Sequence, residues 1–333
     1  MKPLLLLASL LVPVAAASTE PVTIKLGTLA PAGSAWHEAL KDMAARWEEA
    51  SGGQVKLRVY AGGAQGDESD MIRKLRIGQL QAVAITNVGM HDVVPEPQAF
   101  STPVLFQDEA EMECAFGRVR ERIESSFLRR DLVVLQWSRI GTAAFFCNAP
   151  FRSVNEVARA KTFAWEGDPG MVKVWRTAGF HPVVLSVTDL MPALSTGMID
   201  CVSNVPVYML TSRAFERARN MLDLPLGFVL GATIVRKDAW ERIAPEVRGR
   251  LVRISRQVGE KIDAEIRRLN ADAVEAMKRQ GLTVVPVDRE QWRPALEKSW
   301  TTIRSDVVPA DFFDEVHSAR DACRNDGSTH ARR

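Results

Sequence analysis

The sequence predicts an α/β protein of two lobes. Three features predict it. Strand-like apolar alternation gives way repeatedly to helical periodicity, the pattern of a mostly parallel sheet with helices on its faces. At 333 residues the chain is long enough for two such units. One amphipathic stretch in the C-terminal third is long enough to lie across both.

The first residues set the compartment. Met1-Lys2-Pro3, the apolar run 4–11 and the small-residue stretch Val14-Ala15-Ala16-Ala17-Ser18 form a secretory signal pattern, with cleavage expected after Ala17. The run is too short for a membrane-spanning helix, and no Cys stands at the site for a lipid. Residues 22–29 alternate as a strand and stop at Ala30-Pro31-Ala32-Gly33. Ser34 then caps a helix whose inner face is Trp36, Ala39, Leu40, Met43 and Trp47. Gly52-Gly53 ends it. A strand follows at 55–60, a helix at 67–77 and a strand at 82–86. The second unit has strands expected at 132–137, 142–148, 162–165, 182–185 and 199–204. From Pro245 to about Gln280, apolar residues recur every three or four positions, from Val247 and Leu251 through Ile262 and Ile266 to Met277. They mark one helix of about 50 Å, with Pro245 suited to its first turn. A coiled-coil seam is the alternative, weakened by Gly249 and Gly259.

The four cysteines allow three pairings in an oxidising compartment. Cys147 and Cys201 lie in apolar, strand-like surroundings and suit buried thiols. Cys114 and Cys323 lie in charged, helix-like segments, where a disulfide is expected to clip the C-terminal segment to the first lobe.

Catalytic patterns are missing. The five histidines form no zinc-binding spacing, Gly62-Gly63-Ala64-Gln65-Gly66 lacks the Lys of a phosphate loop, and no Gly-x-Ser-x-Gly elbow occurs. Binding is therefore expected rather than catalysis, with no cofactor and no metal. The formal charge of +2 falls to +1 without Lys2, which argues against nucleic acid as a partner.

Three stretches, in this order, carry a resemblance: Ile24-Lys25-Leu26-Gly27; Gly63-Ala64-Gln65-Gly66-Asp67-Glu68 before a helix ending at Gly78-Gln79-Leu80; and Ser195-Thr196-Gly197-Met198-Ile199-Asp200 before Ser203-Asn204-Val205-Pro206. The chain resembles the DctP-like solute-binding subunits of tripartite ATP-independent periplasmic (TRAP) transporters. The resemblance implies a two-lobed periplasmic binding protein fold with crossing strands and a long helix spanning both lobes. Lobe I would take residues 18–140 and about 226–262, lobe II 141–225 and about 263–300, and a C-terminal helix with a polar tail 301–333. It also implies a periplasmic monomer that binds a small molecule in the cleft. Its partners would be a small and a large integral membrane subunit, with room for another periplasmic component.

Departures from the family pattern direct the ligand reading. In family members that carry organic acids, an arginine on the strand after the crossover grips the carboxylate. Here Phe163 stands at that position, and Ala143 stands where some members place a second arginine on the crossing strand. The remaining expected ligand-binding residues are Leu29, Ile85, Thr86, Asn87, Trp165, Val187, Asn204 and Tyr208. Ser203 is read as structural. Such a cleft predicts an uncharged, hydrophobic or amphipathic ligand. The alternatives are an organic acid gripped by Arg139 or Arg152, a cation received by Glu166, and an enzyme or sensor module on the same scaffold.

Overall fold

The computed structural model describes residues 21–330, so the expected signal segment lies outside the described residues. Four strands open the chain: β1 (Val22–Thr28), β2 (Val55–Tyr60), β3 (Ala82–Thr86) and β4 (Leu132–Thr142). The next five are β5 (Ala144–Cys147), β6 (Lys161–Trp165), β7 (His181–Leu185), β8 (Cys201–Asn204) and β9 (Asn220–Leu222). The chain then returns through β10 (Phe228–Arg236) and, after a long helix, adds β11 (Thr283–Val285). The first sheet has the order β2-β1-β3-β10-β4, and the second β11-β9-β5-β8-β6-β7.

Both sheets are mixed, which corrects the mostly parallel expectation. β1 pairs in parallel with β2 and β3, but β10 is antiparallel to both β3 and β4. β10 arrives from the second lobe without a crossover helix, so nothing turns it parallel. β4 is also one continuous strand as far as Thr142, rather than two strands separated by a loop.

The two sheets are joined at β4–β5 and β9–β10. Gly141 bends there at φ 139°, and an added Cβ would lie 2.7 Å from the Asn270 side chain. Just beyond it, Ala143 N–H donates to Gly227 O and Leu226 N–H to Ala143 O, both at 2.9 Å. The crossing strands thus stay paired through the hinge.

The long helix Pro245–Arg279 is fastened at three levels. Trp47 Nε1 donates to Leu251 O and Ser255 Oγ, each at 3.2 Å. Asp263 accepts from the Arg139 backbone N–H at 2.7 Å and its guanidinium at 2.6 Å. Asn270 donates to Ile140 O at 3.0 Å and accepts from Val207 N–H at 3.1 Å, reaching the second lobe. Gly259 has its own reason to lack a side chain: a Cβ would come within 2.7 Å of Gln136 Oε1 and 3.1 Å of Trp137 O. That is a strand contact, not a coiled-coil seam.

The C-terminal helix Ala310–His330 packs on the helix Glu109–Leu128, and Cys114–Cys323 joins them. Arg122 adds ion pairs to Asp311 and Glu315. Cys147 and Cys201 are buried, as apolar surroundings require, yet they are bonded to each other rather than free, being direct partners in the β5–β8 register.

Candidate ligand cleft

The carboxyl ends of β1, β3, β6 and β8 converge with the crossing strands around a cavity of about 370 Å³, the position and size expected of a small-molecule site. Local sequence sets each wall. At the exit of β1, Gly62 and Gly63 adopt φ 63° and 74° and donate to Ala30 O (2.8 Å) and Thr28 O (3.1 Å), which holds Leu29 at the cavity. On β6, Phe163, Ala164 and Trp165 all line it. Phe163 is 9% exposed and packs into the second lobe's core as well as lining the cavity. The Trp165 indole lies over Gly167, where a Cβ would meet the ring at 3.0–3.2 Å.

Ile85, Thr86, Ala143, Val187, Asn204 and Tyr208 line the cavity as well. The Thr86 hydroxyl is already committed, donating to Glu68 at 2.7 Å and accepting from Val88 N–H at 3.3 Å. Asn204 accepts from Val205 N–H at 2.8 Å through its carbonyl oxygen. Burial raises the Tyr208 pKa.

Asn87 must be corrected. It is fully buried and walled off from the cavity, with its amide donating to Gln98 Oε1 (2.9 Å) and Ser101 Oγ and accepting from Leu230 N–H (3.2 Å). A polar residue at a strand end needs partners, and here the protein supplies all of them. Ser203, read as structural, instead lines the cavity beside Asn204.

Charge on the walls has one sign. Among the described residues, no Lys, Arg or His lines the cavity, whereas Glu68 and Asp168 do. Glu68 is 1% exposed and accepts from Thr86 N–H, Thr86 Oγ1–H and Gly89 N–H at 2.7–2.8 Å. Asp168 caps the helix Pro169–Thr177 and accepts from Gln98 Nε2 at 2.7 Å. Burial raises the pKa of both carboxyls, against the lowering effect of those hydrogen bonds. Arg139 is held by Asp263 and by Glu113 at 3.3 Å, and neither it, Arg152 nor Glu166 lines the cavity.

A two-sheet fold with paired crossing strands, a helix bridging both lobes and a cleft at the strand ends narrows the comparison to binding proteins. The family model described as "Bacterial extracellular solute-binding protein, family 7" matches residues 26–306. The chain belongs to this family. It is 23% identical over 310 residues to the sialic acid-binding periplasmic protein SiaP of Vibrio cholerae, covering 90% of this chain and 94% of that protein. It is 22% identical to the C4-dicarboxylate-binding periplasmic protein DctP of Rhodobacter capsulatus, covering 88% of each. A TRAP periplasmic solute binding protein from Xanthobacter autotrophicus with bound β-D-galacturonate superposes with a TM-score of 0.82 at 17% identity, over 89% of this chain and 99% of that one.

As a family 7 member the chain is a TRAP-type periplasmic solute-binding protein, of the kind that delivers a small molecule to membrane subunits. Among the described residues, no helix is long and apolar enough to cross a membrane.

Several lining residues escape a sequence reading of this family member. Trp36, Ala39 and Leu40 share the helical period of Met43 and Trp47, yet these three line the cavity, Leu40 while also packing into the first lobe's core, whereas Met43 and Trp47 are buried in that core alone. Periodicity gives the inner face but not which part of it meets the cleft. Gln136, Ser138 and Ile140 alternate along β4 and all line the cavity. Their polar members inside a buried strand are the signal that points to it.

Proposed function

We propose that this protein captures an uncharged, largely apolar or amphipathic solute in the interlobe cleft, and passes it as a monomer to the small and large membrane subunits of a TRAP transporter. One observation carries the reading: the cavity walls present two buried carboxyls and no cationic side chain. A carboxylate ligand there would lose its hydration without a charged partner, at a cost of several kcal/mol, and would face like charge wherever Glu68 or Asp168 ionises. An apolar body meets Leu29, Ile85, Phe163 and Val187 and gains about 25 cal/mol per Å² buried.

The relatives favour a second reading. Two are described as binding proteins for sialic acid and C4-dicarboxylates, and a solved neighbour holds galacturonate. An organic acid would here have to be received by neutral donors alone. Calorimetric titration of ligand-stripped protein separates the two. Medium-chain or isoprenoid neutral solutes are expected to bind with Kd in the micromolar range or tighter, about −8 kcal/mol, and sialic acid, succinate and galacturonate not to register at about 1 mM. Tight binding of any of those acids would overturn the proposal and leave the family assignment in place.

A further inference from the structure

Three residues line two spaces at once. Trp36, Ala39 and Ile262 border the cleft and also a second, outer groove of about 750 Å³ between the helix Ala35–Ala50, the short helix Pro206–Thr211 and the long helix. At these residues the wall between the two spaces is one side chain thick. The rim of the groove is charged and exposed, with Glu38, Asp42 and Lys261. Trp36 is the largest of the shared three, and the apolar cluster that holds it has members on both sides. Ile140, Val205 and Tyr208 line the cleft, whereas Val207, Leu210 and Leu269 line the groove. The Trp36 side chain therefore stands between them, carried by a first-lobe helix into a cluster built from the second lobe, a crossing strand and the long helix. Its backbone is fixed at the helix start, where Ser34 Oγ accepts from His37 N–H at 3.3 Å and Gly33 N–H donates to His37 Nδ1 at 2.9 Å.

We propose that Trp36 is a specificity-determining residue: it closes the cleft toward the outer groove and sets the greatest chain length of solute that the site accepts. This rests on the apolar reading above and adds the dimension of the ligand. An apolar chain gains about fourfold in affinity for each methylene it buries. The gain stops where the chain end meets Trp36, because further carbons have no apolar surface to cover unless they displace a packed side chain. With Trp36 cut back, the cleft continues into the groove over Val207, Leu210 and Leu269, and the gain resumes. A residue that only filled space between the lobes would change the affinity for all lengths alike and leave the limit where it was.

Displacement of an environment-sensitive fluorophore from the ligand-stripped protein tests this with straight-chain methyl ketones of six to fourteen carbons. Wild-type affinity is expected to rise about fourfold per methylene and then level off within the series. Trp36→Ala, and Trp36→Leu as the milder change that keeps an apolar side chain, should go on gaining at lengths where wild type gains nothing. Leu210→Trp refills the groove from its own side; added to Trp36→Ala it should bring the limit back toward the wild-type length. A wild-type gain that never levels off, or the same limit in wild type and both Trp36 variants, would overturn the assignment. A longer limit in Trp36→Ala that Leu210→Trp leaves untouched would place the added room elsewhere and overturn it too. If no ketone displaces the dye while galacturonate does, the apolar reading itself falls, and the inference with it.

Discussion

Glu68 is a buried carboxyl that organises the end of β3 through partners within the protein. Its carboxyl gathers the N–H and hydroxyl of Thr86 and the N–H of Gly89, tying the end of β3 to the short helix Asn87–Met90. Gly89 is required there, since a Cβ would stand 2.6 Å from that carboxyl. Part of this is legible in the sequence: Gly66-Asp67-Glu68 reads as a helix start, and Asp67 does cap the helix Glu68–Arg76. The partnership with Gly89 is not, because it joins residues 21 apart that only the fold brings together. Glutamine at position 68 would keep one acceptor oxygen and set an NH2 where N–H donors point, so Glu68→Gln is expected to lower stability by about 1–3 kcal/mol, read from urea midpoints. The pH profile carries a sign. Burial raises the Glu68 pKa, so the folded state holds the proton to higher pH than the unfolded chain does. Its contribution is complete below the ordinary glutamate range and is lost as pH rises through the raised value. Glu68→Gln should flatten that part of the midpoint profile, and a profile of unchanged slope would contradict the assignment.

At the scale of elements, the C-terminal helix depends on its clip. Cys114 and Cys323 close a loop with a separation of 209 residues, and Arg324 pairs with Glu111 beside them. A disulfide of this kind contributes about 2–4 kcal/mol, chiefly by restricting the unfolded chain. Cys114→Ser/Cys323→Ser is expected to lower Tm by about 3–6 °C. It should also speed amide exchange over residues 310–326 ahead of the sheets. Exchange that accelerates uniformly across the molecule would contradict a local clip. Elements with strong local signals are legible in the sequence: β2 and β3 match their expected bounds, and the helix from Pro245 ends within a residue of the expected stop. β9, β10 and β11 are not. β9 and β11 have three residues each, and β10 is an apolar run buried between β3 and β4, where alternation vanishes.

Over the whole molecule, buried polar ties join the lobes beside apolar clusters that span both, one carrying Val174 and Met171 into the first lobe's core. Gln98 reaches from the first lobe to Asp168 of the second, and behind it Asn87 and Ser101 carry the chain of hydrogen bonds to the backbone of β10. The cleft is thus wired to the crossing strand through buried polar groups, two of which, Gln98 and Ser101, line it, while its walls carry no cationic side chain among the described residues. The apolar wall from Leu29 to Val187 is legible through the family resemblance, whose cleft positions correspond to residues that line the cavity here. The buried carboxyls and the Gln98 bridge are not, since they come from loops and helix starts whose side chains face inward only after the lobes pack. What the cleft holds in the cell decides the account. The measurement is native mass spectrometry of the protein isolated from its own periplasm, followed by denaturing extraction to identify the bound compound. The expected result is a neutral, largely apolar or amphipathic molecule, bound one per chain. A sugar acid or dicarboxylate recovered at that stoichiometry would contradict it.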